Sequence, residues 1–272
     1  MRIALILRGI SYTKNYLHRD GKKPHNIDFM DVAQTIKENV IDSFTKMGHT
    51  VDVFIHTYYS EKINNLLDYY NPVKTIFTTY RNMNVGYDQE NVKEPMLVER
   101  HLEIVNMVEH YEKDFNFKYD SILITRIDLY FYKAMHELQL DFSCVYIPFW
   151  HIARPSNAPH IFSSEDNFIL IPRTKIDIYK ECLQDMKKYK NSTHYTGKYL
   201  LDKGEQIKYL YGEKGDGAYD YPIYKFARDI FGEARVFLSP EDNIKVPLNR
   251  IYHSEEEKNN PQPIYISNNN IT

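Results

Sequence analysis

Asp120-Ser-Ile-Leu-Ile-Thr-Arg-Ile-Asp-Leu-Tyr130 decides the fold. Its apolar, β-branched centre, Ser121–Thr125, reads as a buried strand. The strand ends directly in two charges, Arg126 and Asp128, before apolar sequence resumes at Leu129. Toward the N-terminus, Leu97, His101, Ile104, Val105, Val108 and Tyr111 recur at helical spacing and form one buried stripe. Ile3–Leu7, Val51–Ile55 and Lys74–Thr79 read as further strands. A helix fills Asp28–Met47, with Phe29, Val32, Ile36, Val40, Phe44 and Met47 on its inner face and Gly48 where a left-handed terminating residue belongs. Strands that alternate with long amphipathic helices predict an α/β domain with a central, mostly parallel sheet and right-handed crossovers. Ligand chemistry then falls at the carboxyl ends of the strands.

After Phe131 the pattern is less regular. Val145–Pro148 and Asn167–Ile171 read as strands, Thr174–Lys188 and Pro222–Phe231 as helices, and from Ser254 onward the chain is a polar tail. No repeat or clean linker interrupts the sequence. It therefore reads as a single domain over 1–272, with a Rossmann-like half at 1–131, a second half at 132–253 and the tail at 254–272.

At 272 residues and 43% hydrophobic, the chain can bury a continuous core. A net charge of −3, from 34 basic and 37 acidic residues, gives no basic stripe for a nucleic-acid backbone. No run approaches the roughly 18 apolar residues of a spanning helix, and the apolar start is too short for a secretory signal. The two cysteines, Cys144 and Cys182, have no metal-like spacing, which suits a reducing, cytoplasmic setting. The 24 tyrosines and 14 phenylalanines suit sugar faces, although most such rings serve as packing.

Three places carry charge where a strand meets a loop. Asp128 can hold a hard divalent cation, and Arg126 can clamp a phosphate or orient that carboxylate; the same pair also serves as a plain ion pair at a strand end. Glu165 and Asp166, before the Asn167–Ile171 strand, can divide acceptor orientation and proton removal, or Asp166 can cap a turn. Arg8-Gly9 ends the first strand, with Gly9 admitting close backbone approach and Arg8 reaching phosphate, and the stretch from there to Asn26 reads as a long loop. His253 is a late, isolated histidine. No nucleophile elbow, phosphate-binding P-loop, zinc-protease motif or paired C-x-x-C is present.

A first strand ending in Arg8-Gly9, a second reading Asp52-Val-Phe-Ile-His-Thr57, and then Ile-Thr-Arg126-Ile-Asp128-Leu together resemble small GT-A-type glycosyltransferases, especially those of large algal viruses. The resemblance is strongest through Phe131. It implies a GT-A-like fold, a nucleotide-sugar donor, a glycan acceptor and a divalent cation, Mn²⁺ or Mg²⁺. It further implies Asp128 and His253 as metal ligands and Asp166 as base in an inverting transfer; beside it, the residues themselves assign Arg8, Gly9 and Arg126 to the donor and Glu165 to the acceptor, with xylose from UDP-xylose as the expected sugar. The family's first motif aspartate is replaced here by Arg126, so that ligand role does not carry over. Two other classes remain open at this point: a non-catalytic carbohydrate-binding protein, and a metal-dependent phosphoester hydrolase or nucleotidyltransferase, which commonly needs more carboxylates than surround Asp128.

Overall fold

The computed structural model describes residues 1–16, 25–78, 97–151, 166–189, 193–210, 214–215 and 223–226. The chain opens with β1 (Arg2–Gly9), then β2 (Tyr12–Tyr16) and β3 (His25–Asp28). A long helical run follows as α1 (Met30–Ile36), a π-helical turn (Lys37–Ile41) and α2 (Asp42–Lys46). Next come β4 (Thr50–Tyr58), α3 (Ile63–Tyr70), β5 (Lys74–Thr78), α4 (Leu97–Asp114), β6 (Ser121–Arg126) and β7 (Leu129–Phe131). The remainder supplies β8 (Val145–Ile147), β9 (Trp150–His151), β10 (Phe168–Pro172), α5 (Ile176–Tyr189), α6 (Thr196–Asp202), β11 (Ile207–Tyr209), β12 (Lys214–Gly215) and β13 (Tyr224–Phe226).

Among the described residues, seven strands form one sheet in the order β11-β8-β10-β6-β1-β4-β5, so strands from both halves of the sequence share it. β1 pairs in parallel with β4 and β6, β4 with β5, and β8 with β11. β10 runs antiparallel to β6 and β8, so the sheet is mixed rather than wholly parallel. Alternate residues of each strand feed two cores. Ile3, Leu5 and Leu7 pack with Phe29, Val32, Ile36, Phe44 and Leu66 on the α1–α3 face. Ala4, Ile6, Phe54, Ile122 and Ile124 pack with Ile104, Val108, Tyr179 and Leu183 on the α4–α5 face. This is an α/β, Rossmann-like domain of three layers. Strands buried on both faces explain the near-continuous apolar runs that announced them.

The helix expected over Asp28–Met47 starts two residues later because Asp28 closes β3 and accepts a hydrogen bond from Met30 N at 3.0 Å. Gly48 terminates the run at φ 79°, as expected. Gly48→Ala should cost about 1 kcal/mol, the penalty of a Cβ in the left-handed region, since no neighbour lies close enough to add a clash. Chemical denaturation would show this as a lower midpoint with an unchanged slope.

Two readings of the sequence are corrected. The stretch after Gly9 is not all loop: Tyr12–Tyr16 pairs antiparallel with His25–Asp28, and 17–24 lie outside the described residues. The segment expected to be helical at Pro222–Phe231 forms strand β13 at Tyr224–Phe226, because the edge of β7 offers it an antiparallel ladder and Tyr224 is buried there. Residues 227–231 lie outside the described set, as does the tail.

The π turn has a local consequence. Residues at i, i+4 and i+8 drift around an α-helix, and a wider turn offsets that drift. Thr35, Asn39 and Ser43 thereby grip the chain that follows β6. Thr35 Oγ1 accepts from Phe131 N at 3.1 Å, Asn39 Nδ2 donates to Phe131 O at 2.7 Å, and Ser43 Oγ accepts from His136 N at 2.8 Å. The edge of β7 opposite β13 is thus satisfied by side chains.

Candidate active site at the carboxyl edge of the sheet

The chain leaves β1 for β4 and β5, then returns to the other side of β1 as β6. The strand order reverses between β1 and β6, and in open α/β sheets such a switch point opens a crevice at the carboxyl ends. Parallel register sets Arg8 opposite both His56 and Arg126, which puts three basic side chains on one face at the end of three adjacent strands. Ile127 N donates to Arg8 O at 2.8 Å and ties the Arg126–Asp128 turn to β1. Gly9 follows at φ 110°, a conformation that disfavours a Cβ. Its carbonyl accepts from Thr57 Oγ1 at 2.7 Å.

Arg126 and Asp128 form a two-pronged pair: Nε to Oδ1 at 2.8 Å and Nη2 to Oδ2 at 2.7 Å. Asp128 is buried, whereas Arg126 remains partly exposed, with its guanidinium carbon 5.0 Å from the centre of the Phe226 ring. The pair is therefore neither a loose surface contact nor a carboxylate standing ready for a cation. Both oxygens of Asp128 are already engaged.

Arg8 is buried and reaches across to Asp166, two residues before β10. Its Nη2 donates to Asp166 O at 2.5 Å and lies 3.8 Å from the Asp166 carboxylate. Thr193 Oγ1 donates to the second carboxylate oxygen. Burial pushes the Asp166 carboxyl up, but Arg8, His194 and the Thr193 hydroxyl outweigh it and hold the group below the usual carboxylate range. Burial lowers the Arg8 pKa, Asp166 opposes that, and the like charge of Arg126 adds to it.

Beneath this layer His101 of α4 is fully buried, with Nδ1 2.5 Å from the Tyr179 hydroxyl. Burial, and then the charge of Arg8, hold its pKa well below the ordinary value, so the imidazole is neutral. Its Nε2 has no hydrogen-bond partner among the described residues. On the β4 side, Arg8, Gly9, His56, Thr57, Tyr58, Thr78, Leu97 and Arg100 line a shallow cleft open to solvent. His56 Nε2 lies 3.0 Å from Glu103 Oε2, and this contact, together with the charges of His56 and Arg100, lowers the Glu103 pKa.

Of the residues singled out in the sequence, Arg8 meets Asp166 and Arg126 meets Asp128, with Gly9 on the adjoining cleft. Glu165 and His253 lie outside the described residues. Among the described residues no three His, Cys, Asp or Glu side chains gather as a metal site. Among the described residues, Asp128 alone, paired through both oxygens to Arg126, does not make up the ligand set of a resident divalent cation. Sequence reading missed Arg100, His56, Thr193, His101 and Tyr179. A signal existed for the first two: His56 sits where the second strand ends, level with Arg8, and Arg100 falls on the helical stripe's flank. Thr193 carries no pattern of its own.

No protein-family model matches the chain, and no curated protein matches it. Among solved structures it is similar to a glycosyltransferase involved in the glycosylation of the major capsid of PBCV-1, with 12% identity, a TM-score of 0.38, and coverage of 79% of this chain and 81% of that one. The likeness is distant and partial. Among the described residues no helix is long and apolar enough to cross a membrane.

Proposed function

We propose that the chain is a nucleotide-sugar-dependent glycosyltransferase of the GT-A kind, acting on a glycan hydroxyl with inversion. The observation that supports this reading is the in-register pair of guanidinium groups, Arg8 and Arg126, at the switch point of the sheet, each beside a buried carboxylate. A diphosphate leaves with charge developing on its oxygens, and preorganised cations in a partly dry site stabilise that change. Arg8, Gly9 and Arg126 hold the donor, and Asp128 fixes Arg126 in place.

Asp166 is the proposed base. The acceptor oxygen attacks the anomeric carbon, the bond to the diphosphate oxygen breaks, and Asp166 takes the acceptor proton. In the free protein Arg8 and Thr193 make that carboxylate a weak base. An anionic donor that draws Arg8 toward itself loosens this hold and raises the basicity of Asp166 when the donor is bound. Glu165 orients the acceptor in this scheme, residues 1–131 form the donor half and residues 132–253 the acceptor half. The specific reading is xylose from UDP-xylose, transferred as in the xylosyltransferases that extend a fucose of a viral capsid N-glycan, in a cytoplasmic setting. For Mn²⁺ or Mg²⁺ to sit at Asp128, Arg126 must release an oxygen and further ligands such as His253 must come from outside the described residues; no step is derived through the ion.

Turnover of UDP-xylose against a panel of sugar acceptors tests the reading. Asp166→Asn should lower kcat by about 10²- to 10⁴-fold, the range for loss of a general base, with UDP affinity changed only a few-fold. Full turnover by Asp166→Asn would remove the proposed base.

A further inference from the structure

We infer that the cleft between Arg8 and Arg100 is a diphosphate-class oxyanion site that works through guanidinium charge and without a divalent cation. The inference rests on the glycosyltransferase reading only in taking the donor's diphosphate as its natural occupant. Arg8 and Arg100 reach the cleft from different layers, one from the end of β1 and one from the first turns of α4. The Arg8 side chain is 5% exposed, and its Nε has no acceptor among the described residues. A buried N–H left in that state is costly, and an oxyanion supplies the missing acceptor. Arg100 donates to the Tyr58 hydroxyl, and its guanidinium carbon lies 4.8 Å from the centre of that ring, which anchors the charge at the cleft wall.

The two cations also disfavour one another. Burial first, and then the charge of Arg8 against the attraction of Glu103, brings the Arg100 pKa down to about 10. An anion between them reverses that repulsion, and two guanidinium forks match the paired oxygens of a diphosphate. Each Asp128 oxygen already accepts a hydrogen bond from Arg126, and arginines are the positive charges the described residues place at the diphosphate.

Calorimetry on the full chain tests this with inorganic pyrophosphate and with UDP, each in EDTA and UDP again in excess Mn²⁺. Both ligands should bind in EDTA, Mn²⁺ should change the UDP affinity less than threefold, and Arg100→Gln should weaken both at least tenfold with an unchanged circular dichroism spectrum. Should Arg100→Gln unfold, Arg100→Lys keeps the charge, loses the fork and should weaken both at least threefold. Absence of pyrophosphate binding in EDTA, or an Arg100 variant of full affinity, overturns the inference. UDP binding that requires Mn²⁺ overturns it and leaves the glycosyltransferase reading intact. Pyrophosphate binding that depends on Arg100, with no binding of UDP, keeps the inference and counts against the nucleotide-sugar reading.

Discussion

Arg8→Met is expected to lower stability by about 3–5 kcal/mol, the cost of removing one member of a buried ion pair. The charge left behind is Asp166, which keeps the Thr193 hydroxyl but loses the Arg8 guanidinium in a setting almost closed to water. Methionine roughly preserves the volume of the arginine stem, so the loss reads electrostatics rather than a cavity. The control is Arg8→Met combined with Asp166→Asn. If the pair is the cause, neutralising the stranded carboxylate restores a large part of the loss, and urea denaturation of the two singles and the double gives a coupling energy well above 1 kcal/mol. Simple additivity would mean that Arg8 and Asp166 do not act together.

The second large effect is loss of stability in mild acid. The folded-state pKa of His101 is depressed, so between that value and the ordinary histidine range the unfolded chain binds a proton that the folded chain does not. Stability is therefore full above about pH 6.5 and falls as pH drops, with a limiting slope of about 1.4 kcal/mol per pH unit from this one group. Asp166 and Glu112 act lower on the scale. Burial raises the Glu112 pKa, but Arg173, the Tyr119 N–H and Lys118 outweigh it, so the group is depressed overall. A depressed carboxylate contributes above its unfolded pKa and loses that contribution as pH falls through the folded value. Two phases follow: one beginning near pH 6.5 and a second below about pH 4. His101→Asn, which can still meet the Tyr179 hydroxyl and does not titrate, should remove most of the first phase, leaving a smaller part from His49, whose pKa burial also lowers, and should leave the second phase unchanged. Denaturation midpoints at closely spaced pH values separate them, and a first phase that survives His101→Asn undiminished would assign it to another group.

The parts of this architecture that could be read from sequence are those whose pattern is local. β1, β4, β5 and β6 are apolar runs buried on both faces, and α4 carries an unbroken stripe. Either signal exists before any tertiary contact forms. β10 could be read as a strand, but its direction could not, because an antiparallel insertion between β6 and β8 is decided by the path of the intervening chain. β13 was misread for a related reason. Tyr224–Phe226 is too short to show a period, and the free edge of β7 settled its conformation. The hairpin of β2 and β3 was hidden by the polar stretch between its strands.

The site follows the same division. Arg8, Arg126 and Asp128 were visible because charges terminate apolar strands, and register alone then aligns Arg8 with Arg126. The engagement of both Asp128 oxygens by Arg126 was open in the sequence, where a cation ligand and an ion pair look alike. The link from Asp166 to Arg8 spans 158 positions and has no local trace. Arg100 and His101 are helix residues whose roles depend on which layer the helix covers.

The central claim is that a nucleotide sugar binds across the carboxyl ends of β1 and β6. A thermal-shift comparison of wild type and Arg126→Ala with UDP-, GDP- and CMP-sugars tests it most directly. At a ligand concentration of about 100 Kd, binding adds roughly 2.7 kcal/mol, which in a chain of this size raises Tm by about 5–10 °C. The account predicts such a rise in wild type with a UDP-sugar, and a much smaller one in Arg126→Ala. No shift with any nucleotide sugar, or an equal shift in both proteins, would contradict it.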